Sequence, residues 1–471
     1  MRKKRGTVWG VWLLAALLLF AGAAPARAMG GRTDWKLTDT RELEGWPSAP
    51  SVTAESAYLV ELNSGTVLYG KNENESRYPA SITKVMTALV VLEHCSLDEP
   101  VTFSHESVTD IEAGGGFGYL DLEGETYTVE QCLYLLLLES VNSCGYALAE
   151  HVAGSLPAFA ELMNEKAVSL GCTNTNFVNP HGLNDENHTT TAHDMALIFW
   201  AALQNETFYQ IDSATTYEIP PTEQNPNGYT CTMHHKMMIS NSEYYDERVK
   251  AGKTGYTSIA KNTLVTYAEK DGMELVCVVL KDAGGGVIYQ DTEALLDYGF
   301  NNFRLVDMSS TSENFCAGLE AGYPMPLALS GTAYLTVPAD MTSVTLEFSG
   351  RNEGDPEGTV GNLLYRSGSV TLGSQPVVIR GSAGDTASAE TATQPEDSGR
   401  PFWFWILVAL AALVALVLLA WLVIQIIKAN RRRKRRKRRR QRLEAMRRQQ
   451  AGSRMAGTGR RSGPGQRPRG R

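Results

Sequence analysis

Three short groups of residues in this chain carry side chains suited to acyl transfer. Ser81 and Lys84 stand three apart in Pro79-Ala80-Ser81-Ile82-Thr83-Lys84, Ser140-Val141-Asn142 follows, and Lys253-Thr254-Gly255 lies far downstream. A serine hydroxyl is a weak nucleophile until a base takes its proton. Lysine serves as that base once desolvation and a neighbouring cation depress its pKa. Residues three apart on a helix share a face, so Lys84 would reach Ser81, and Lys253 is the natural second cation. Together, in this order, the three groups assemble a serine acyl-transfer site that uses lysine where most serine hydrolases use histidine. Each group alone is ambiguous. S-x-x-K also fits a helix start with an exposed lysine, and Ser140 and Asn142 at a helix junction also fit capping residues.

Lys253-Thr254-Gly255 precedes a hairpin signal and reads as an edge strand, which offers free backbone groups to an extended peptide. Thr254 would hydrogen-bond a substrate carboxylate, Lys253 would supply a point charge, and Gly255 would admit the substrate close to the backbone. Gly252-Lys253-Thr254 also imitates the end of a phosphate-binding loop. The earlier glycine that such a loop needs falls at Glu247, which excludes it. His188 and His193 are five apart, but no H-E-x-x-H is present. The seven cysteines (95, 132, 144, 172, 231, 277 and 316) form no C-x-x-C pair. Their odd number and irregular spacing argue against a disulfide framework and a zinc site, and leave them as small apolar core residues. No metal and no cofactor is expected.

The elements that must hold these residues can be read from periodicity. Ala57–Leu62 and Thr66–Tyr69 read as two strands around Asn63-Ser64-Gly65. Ser81–Glu93 reads as a helix, with Ile82, Val85, Met86, Leu89 and Val90 on one buried face and Pro79 just before it. Val129–Glu139 and Ser143–Val152 are helical, with Ser140-Val141-Asn142 between them. Phe159–Leu170, Ala192–Leu203 and Asp291–Phe300 are further helices, and residues 172–191 read as a loop. Leu264–Glu269 and Met273–Leu280 flank Lys270-Asp271-Gly272, a strong hairpin signal. From about Met308 helical periodicity gives way to short alternating runs such as Ala333–Val337 and Ser343–Phe348, the pattern of a small all-β module.

The chain of 471 residues also carries segments outside any fold. Residues 1–28 have a basic start, an apolar stretch from Val8 to Ala24 and Ala26-Arg27-Ala28, the pattern of a secretory signal peptide. Residues 382–400 read as a flexible stalk. Residues 401–427 hold no charge and have Trp403, Trp405 and Trp421 toward their ends, which suits a membrane-spanning helix. Residues 428–471 hold 20 Lys and Arg and one acid. The positive-inside rule makes that tail cytoplasmic and the body external, anchored in membrane lipid by one C-terminal span. Setting aside the 25 bases of leader and tail and the one tail acid leaves 19 bases against 51 acids, a formal charge of −32. Such a surface does not seek nucleic acid.

The three motifs, in this order, resemble those of the D-alanyl-D-alanine carboxypeptidases, the low-molecular-mass penicillin-binding proteins. The resemblance covers about residues 50–305. It extends through Ala149–Gly154, Phe159–Asn164, Thr173–Leu183, Thr190–Ala196 and Tyr298-Gly299-Phe300. It implies an α+β catalytic domain of the penicillin-binding/β-lactamase type, an antiparallel sheet plus a helical subdomain, over residues 29–307. The small β-rich domain (308–381) and the C-terminal transmembrane helix read above from the residues would follow it, and such a span with its basic tail differs from the amphipathic anchor helix often seen in the family. Ser81 would be acylated by the penultimate D-alanine of a peptidoglycan stem peptide, releasing the last D-alanine, and water would deacylate it. Lys84 would be the general base, and Ser140 and Asn142 would relay protons and hold the peptide. Lys253 and Thr254, beside Gly255, would bind the terminal carboxylate, and the N–H groups of Ser81 and Tyr256 would form the oxyanion hole. β-Lactams would acylate Ser81 as substrate mimics. The sequence departs from the family pattern at Ser143-Cys144, where Asp-Ala is common, and at Ala251, where glycine is common. A β-lactamase of similar architecture is the alternative enzyme. It would need a carboxylate to activate the deacylating water, with Asp185 and Glu186 as candidates. A non-catalytic envelope protein of the same fold is the alternative outside enzymes.

Overall fold

Every residue of Ser56–Glu61 is buried, as is nearly every residue of Met273–Asp282. Successive strand side chains point to opposite faces, so unbroken burial requires cover on both sides of the sheet. The computed structural model describes residues 37–111, 123–319, 322–323, 325–331, 333–352, 355 and 357–381. In it these two strands lie at the centre of a six-stranded sheet, β1-β3-β2-β6-β5-β4. The strands are β1 (Thr38–Asp39), β2 (Ser56–Glu61), β3 (Thr66–Lys71), β4 (Val249–Thr257), β5 (Lys261–Lys270) and β6 (Met273–Asp282). All neighbours are antiparallel except β1 and β3. The β5–β6 turn places Asp271 and Gly272 at φ +51° and +84°, two successive left-handed residues whose twist matches that of the flanking strands. β4 is an edge strand, as the Lys253-Thr254-Gly255 reading requires.

A helical region packs beside the sheet. It comprises α1 (Thr83–His94), α2 (Val129–Leu137), α3 (Asn142–Ala153), α4 (Leu156–Ser169), α5 (Ala192–Leu203) and α6 (Glu206–Asp212). Helix α7 (Val287–Asn302), like α5, packs on β2 and β6. At the start of and along α1, Ile82, Val85, Met86, Leu89 and Val90 are all buried, and each such side chain contributes roughly 1.5–3 kcal/mol relative to exposure. That anchorage makes the start of α1 a rigid platform. A capping box at Thr128–Gln131 begins α2 by satisfying free N–H groups at the helix end. Six of the seven cysteines are buried, Cys95 is half-buried, and all are free thiols.

Beyond α7 the pattern departs from a purely β module. Strand β7 (Phe303–Asp307) pairs with β9 (Tyr334–Pro338), so the pairing crosses the boundary expected between residues 307 and 308. Helix α8 (Ser309–Leu319) follows β7 and corrects the all-β expectation. Its sequence, SSTSENFCAGL, is mostly small and polar, with Ser312 and Cys316 its buried positions. An apolar stripe this thin leaves little periodicity to read. Strands β8 (Leu327–Leu329), β10 (Thr345–Ser349), β11 (Thr359–Ser367) and β12 (Val370–Ile379) form a sheet in the order β8-β12-β11-β10. With β9 and α8 they enclose a second core of Cys316, Leu335, Val337, Leu363, Tyr365 and Val377. Residues 1–28, 382–400, 401–427 and 428–471, read as leader, stalk, span and tail, lie outside the described residues. Among the described residues no helix is long and apolar enough to cross a membrane. The chain divides into two units, Met1–Ala389 and Glu390–Arg471, and the described residues belong to the first.

Glu61, fully buried at the end of β2, ties this second core to the first. Its Oε2 accepts from Ser64 N at 2.9 Å, Ser64 Oγ at 2.7 Å and Thr336 Oγ1 at 2.9 Å. Its Oε1 accepts from Asn63 Nδ2 at 2.8 Å and Glu274 N at 3.3 Å. Truncating a buried acceptor strands every donor aimed at it. Glu61→Ala should therefore cost about 3 kcal/mol, read as a lowered urea midpoint with little change in slope.

Candidate active site

The start of α1 is a single 3-10 turn, Ala80–Ile82, with Ser81 at its middle rather than inside the α-helix proper. Ala80 adopts φ +52°, a left-handed conformation that costs a non-glycine residue roughly 1–3 kcal/mol. Its neighbours hold it there. Thr83 Oγ1 donates to Ala80 O at 2.8 Å, and Thr263 Oγ1 on β5 donates to Pro79 O at 2.8 Å. Gly182 (φ +86°) presses so close that a Cβ there would lie 1.9 Å from Ala80 O. The turn thus lifts Ser81 out of the helix and leaves it half-buried facing β4.

Lys84, one helical turn on, is completely buried. Its Nζ lies 2.9 Å from Ser81 Oγ, 2.6 Å from Asn142 Oδ1 and 2.7 Å from His181 O. No carboxylate is among these three partners. As an ammonium, Lys84 donates to all three. As a neutral amine it keeps its two donations to the amide and peptide oxygens and turns its lone pair to the Ser81 hydroxyl, the geometry of a base about to take a proton. Burial holds its pKa well below the ordinary lysine value, and repulsion from Lys253 adds to this. Cys144, at one of the positions that depart from the family pattern, is buried close enough to act weakly the other way.

Asn142 is delivered by the α2–α3 junction. Ser140 adopts φ +62° there, and the chain reverses so that α3 starts at Asn142 with its side chain under Lys84. Ser140 is half-buried. The preceding Glu139 carboxylate accepts from Thr232 N and Oγ1 and pairs with His234 at 3.2 Å, which holds the end of α2 in place. The His181 carbonyl is supplied by a loop that Asn179 staples. Asn179 Oδ1 accepts from Gly182 N at 2.7 Å, Asn179 Nδ2 donates to Leu183 O at 3.0 Å, and Thr87 Oγ1 donates to Pro180 O at 2.6 Å.

β4 closes the site. Lys253 is buried, and burial pushes its pKa down to about 8 while Asp212 and Glu139 pull it back. Its Nζ donates to Thr254 O at 3.1 Å. Gly252 must be glycine, because a Cβ would fall 2.4 Å from Val265 O and 2.6 Å from the His235 ring. Gly255 must be glycine for the same kind of reason: a Cβ there would stand 2.9 Å from Ser81 N and 2.4 Å from Thr263 Oγ1. Thr254 and Gly255 are half-buried, and Tyr256 is 64% exposed at the open end of the strand. The structure therefore brings Ser81, Lys84 and Asn142 into direct hydrogen bonding, with β4 against Ser81 through Gly255.

Sequence reasoning missed Thr83, the His181 carbonyl as an acceptor for Lys84, His188 and Asp212. Asp212, at the end of α6, is fully buried, and burial pushes its carboxyl up to about 7 against the pull of Lys253. The His181 imidazole is held neutral, with its pKa lowered to about 3 by burial and the nearby Lys84. The signal that was available for this loop was Gly182, an isolated glycine beside a histidine in a polar segment. Asp185 and Glu186, weighed as water-activating carboxylates, are both exposed.

Residues 44–284 match the D-alanyl-D-alanine carboxypeptidase family. Among curated relatives, D-alanyl-D-alanine carboxypeptidase DacF of Bacillus subtilis is 33% identical over 291 residues, 61% of this chain and 69% of that protein. D-alanyl-D-alanine carboxypeptidase DacB2 of Mycobacterium tuberculosis is 33% identical over 258 residues, 53% of this chain and 84% of its own length. Of solved structures, a D-alanyl-D-alanine carboxypeptidase from Mycobacterium tuberculosis aligns with TM-score 0.50 and 30% identity, covering 55% of this chain and 95% of that one. Penicillin binding protein 5 from Haemophilus influenzae aligns with TM-score 0.60 over 71% of this chain and 98% of its own, at 24% identity, a likeness of fold.

Two depressed lysines predict a distinct titration. In NMR of isotope-labelled lysine side chains, one amine should titrate near pH 8 and a second should also titrate well below the ordinary lysine range. Lys253→Met should remove the first signal and raise the pKa of the second, because a neutral side chain no longer repels the Lys84 ammonium.

Proposed function

The chain belongs to the D-alanyl-D-alanine carboxypeptidase family, and from that premise we propose that it removes the terminal D-alanine of peptidoglycan stem peptides through an acyl-enzyme on Ser81. The observation that carries the reading is the contact of Ser81 Oγ with a fully buried lysine amine whose other two partners are neutral oxygens. Lys84 takes the hydroxyl proton as Ser81 attacks the carbonyl of the penultimate residue. Asn142 holds that amine in line, and Ser140 completes the path returning the proton to the leaving amine. Lys253 and Thr254 bind the terminal carboxylate, which only a substrate with a free C-terminus presents. The N–H groups of Ser81 and Tyr256 stabilise the oxyanion, and Gly255 supports this by letting β4 approach Ser81 N. Water then hydrolyses the ester. A β-lactam presents its strained-ring carbonyl and a nearby carboxylate in the same relation and acylates the same serine.

The exposed positions of Asp185 and Glu186 favour a slowly hydrolysed penicilloyl-enzyme over rapid lactam turnover. We also assign residues 1–28 as a removable leader. Residues 308–381 form a β-rich module that, with a stalk at 382–400, supports the catalytic domain. Residues 401–427 span the membrane once, with the basic tail in the cytoplasm. The uncharged run and the ten successive bases from Arg431 to Arg440 support that topology. The enzyme thus works at the outer face of the cell membrane, within the envelope.

Ser81→Ala should abolish labelling by a fluorescent penicillin and lower D-alanine release from diacyl-L-Lys-D-Ala-D-Ala by at least about 10³-fold, and retained release would remove Ser81 as nucleophile. The pH profile has a worked sign. Lysine is cationic below its pKa, so above pH about 8 Lys253 loses its proton and its attraction for the substrate carboxylate. KM should rise there, and kcat/KM should fall. On the acid side, protonating Lys84 removes the base, so kcat falls as pH decreases.

A further inference from the structure

We propose that His188 is a positioning residue for acyl transfer: acting through Thr83, it fixes the peptide unit that carries the Ser81 N–H. This rests on the reading of Ser81 as nucleophile. His188 is 1% exposed and lies 105 residues from Thr83 in sequence, yet both of its ring nitrogens are engaged. Val178 N donates to Nδ1 at 3.1 Å, so Nδ1 carries no proton. The proton therefore sits on Nε2, which donates to Thr83 Oγ1 at 2.8 Å. With that lone pair occupied, the Thr83 hydroxyl turns its own hydrogen to Ala80 O, also at 2.8 Å. The Phe177 ring meets the imidazole edge-on at 5.6 Å and helps fix its plane. Burial lowers the imidazole's pKa to about 4, so the ring is neutral and this tautomer persists at neutral pH.

The consequence for the reaction comes from peptide geometry. The Ala80 carbonyl and the Ser81 N–H belong to one planar trans peptide, in which C=O and N–H point in opposite directions. Holding the oxygen on one side aims the hydrogen on the other. That other side faces β4, where a Cβ on Gly255 would stand 2.9 Å from Ser81 N. Ala80 is in a left-handed conformation that it does not favour intrinsically, so the peptide would relax without an external hold. Gly182 and Thr83's own N–H also press on the Ala80 oxygen, but the Thr83 hydroxyl is the contact whose direction His188 sets. A donor misaimed by a small angle weakens oxyanion stabilisation, which acts in the transition state and not in the bound substrate.

The test compares His188→Asn with His188→Gln in the full chain. An asparagine amide can still accept from Val178 N near the Nδ1 position but has nothing at Nε2, whereas a glutamine amide reaches the Nε2 position and donates to Thr83. Acylation by fluorescent penicillin and hydrolysis of diacyl-L-Lys-D-Ala-D-Ala are measured per penicillin-titratable site, with Tm in parallel. His188→Asn should lose about 10- to 100-fold in acylation rate and kcat with KM within about threefold, and His188→Gln should recover to within about threefold of wild type. Thr83→Val should reproduce the loss and Thr83→Ser should not, and this pair carries the test if His188→Asn fails to fold. Equal rates for the Asn and Gln variants, a loss confined to KM, or wild-type acylation by Thr83→Val would each overturn the proposal. Wild-type protein that takes no penicillin label at all would instead remove the Ser81 premise, and the proposal with it.

Discussion

Burying the Lys84 amine among neutral hydrogen-bond acceptors is the constraint on which the rest of the structure depends. A lysine ammonium deprived of solvent seeks an acid, and an acid beside it would raise its pKa and leave an inert ion pair. Here each of the three hydrogen-bond partners of Nζ is a neutral oxygen, from Ser81, Asn142 and His181. Neutral acceptors satisfy two N–H groups of the free amine without rewarding the third proton. Each comes from a different part of the chain: the 3-10 turn, the α2–α3 junction and the stapled loop after Asn179. These three parts of the chain must therefore be assembled before Lys84 becomes a base, and β4 of the sheet adds the charge of Lys253.

The second lysine shows the opposite treatment. Lys253 is as buried as Lys84, but Asp212 and Glu139 oppose the effect of burial and leave its pKa at about 8. Two chemically identical side chains are thus driven apart by their surroundings, one toward the free amine and one kept near the cation. Each helps define the other, since the charge retained on Lys253 is the second cause of the depression at Lys84. Such an arrangement suits a carboxylate-ended substrate, whose negative charge would settle beside Lys253 without neutralising the base.

Much of this was legible in the sequence because it depends on local pattern. The β5–β6 hairpin was written in Asp271-Gly272, α5 in an apolar run from Ala192 to Leu203, and the edge position of β4 in its place before that hairpin. The three motif groups named the side chains that reach the reacting centre. Contacts made by backbone atoms were not legible: any residue has a carbonyl, so nothing at position 181 announces that its oxygen meets Lys84. Thr83 and His188 were hidden for a related reason, since each acts on a peptide group and not on the nucleophile itself. Helix α8 was missed because its buried face is two small residues, below what periodicity can register. Asp212 closes a short helix whose burial depends on β4, a partner about 40 residues away.

Strain and buried charge cluster around Ser81, and the sheet sustains them. Ala80 and Ser140 both hold left-handed conformations, and Lys84, Lys253 and Asp212 are all without solvent. Each of these departures is unfavourable by itself and would relax in a less tightly packed protein. They persist because the flanking elements are over-determined: α1 is buried along Ile82, Val85, Met86, Leu89 and Val90, and β5 and β6 pair over nearly their full length. The glycines at 182, 252 and 255 are where that rigid frame comes within atomic contact of the reacting turn. Adding a methyl group at any of the three would displace backbone, not merely a side chain.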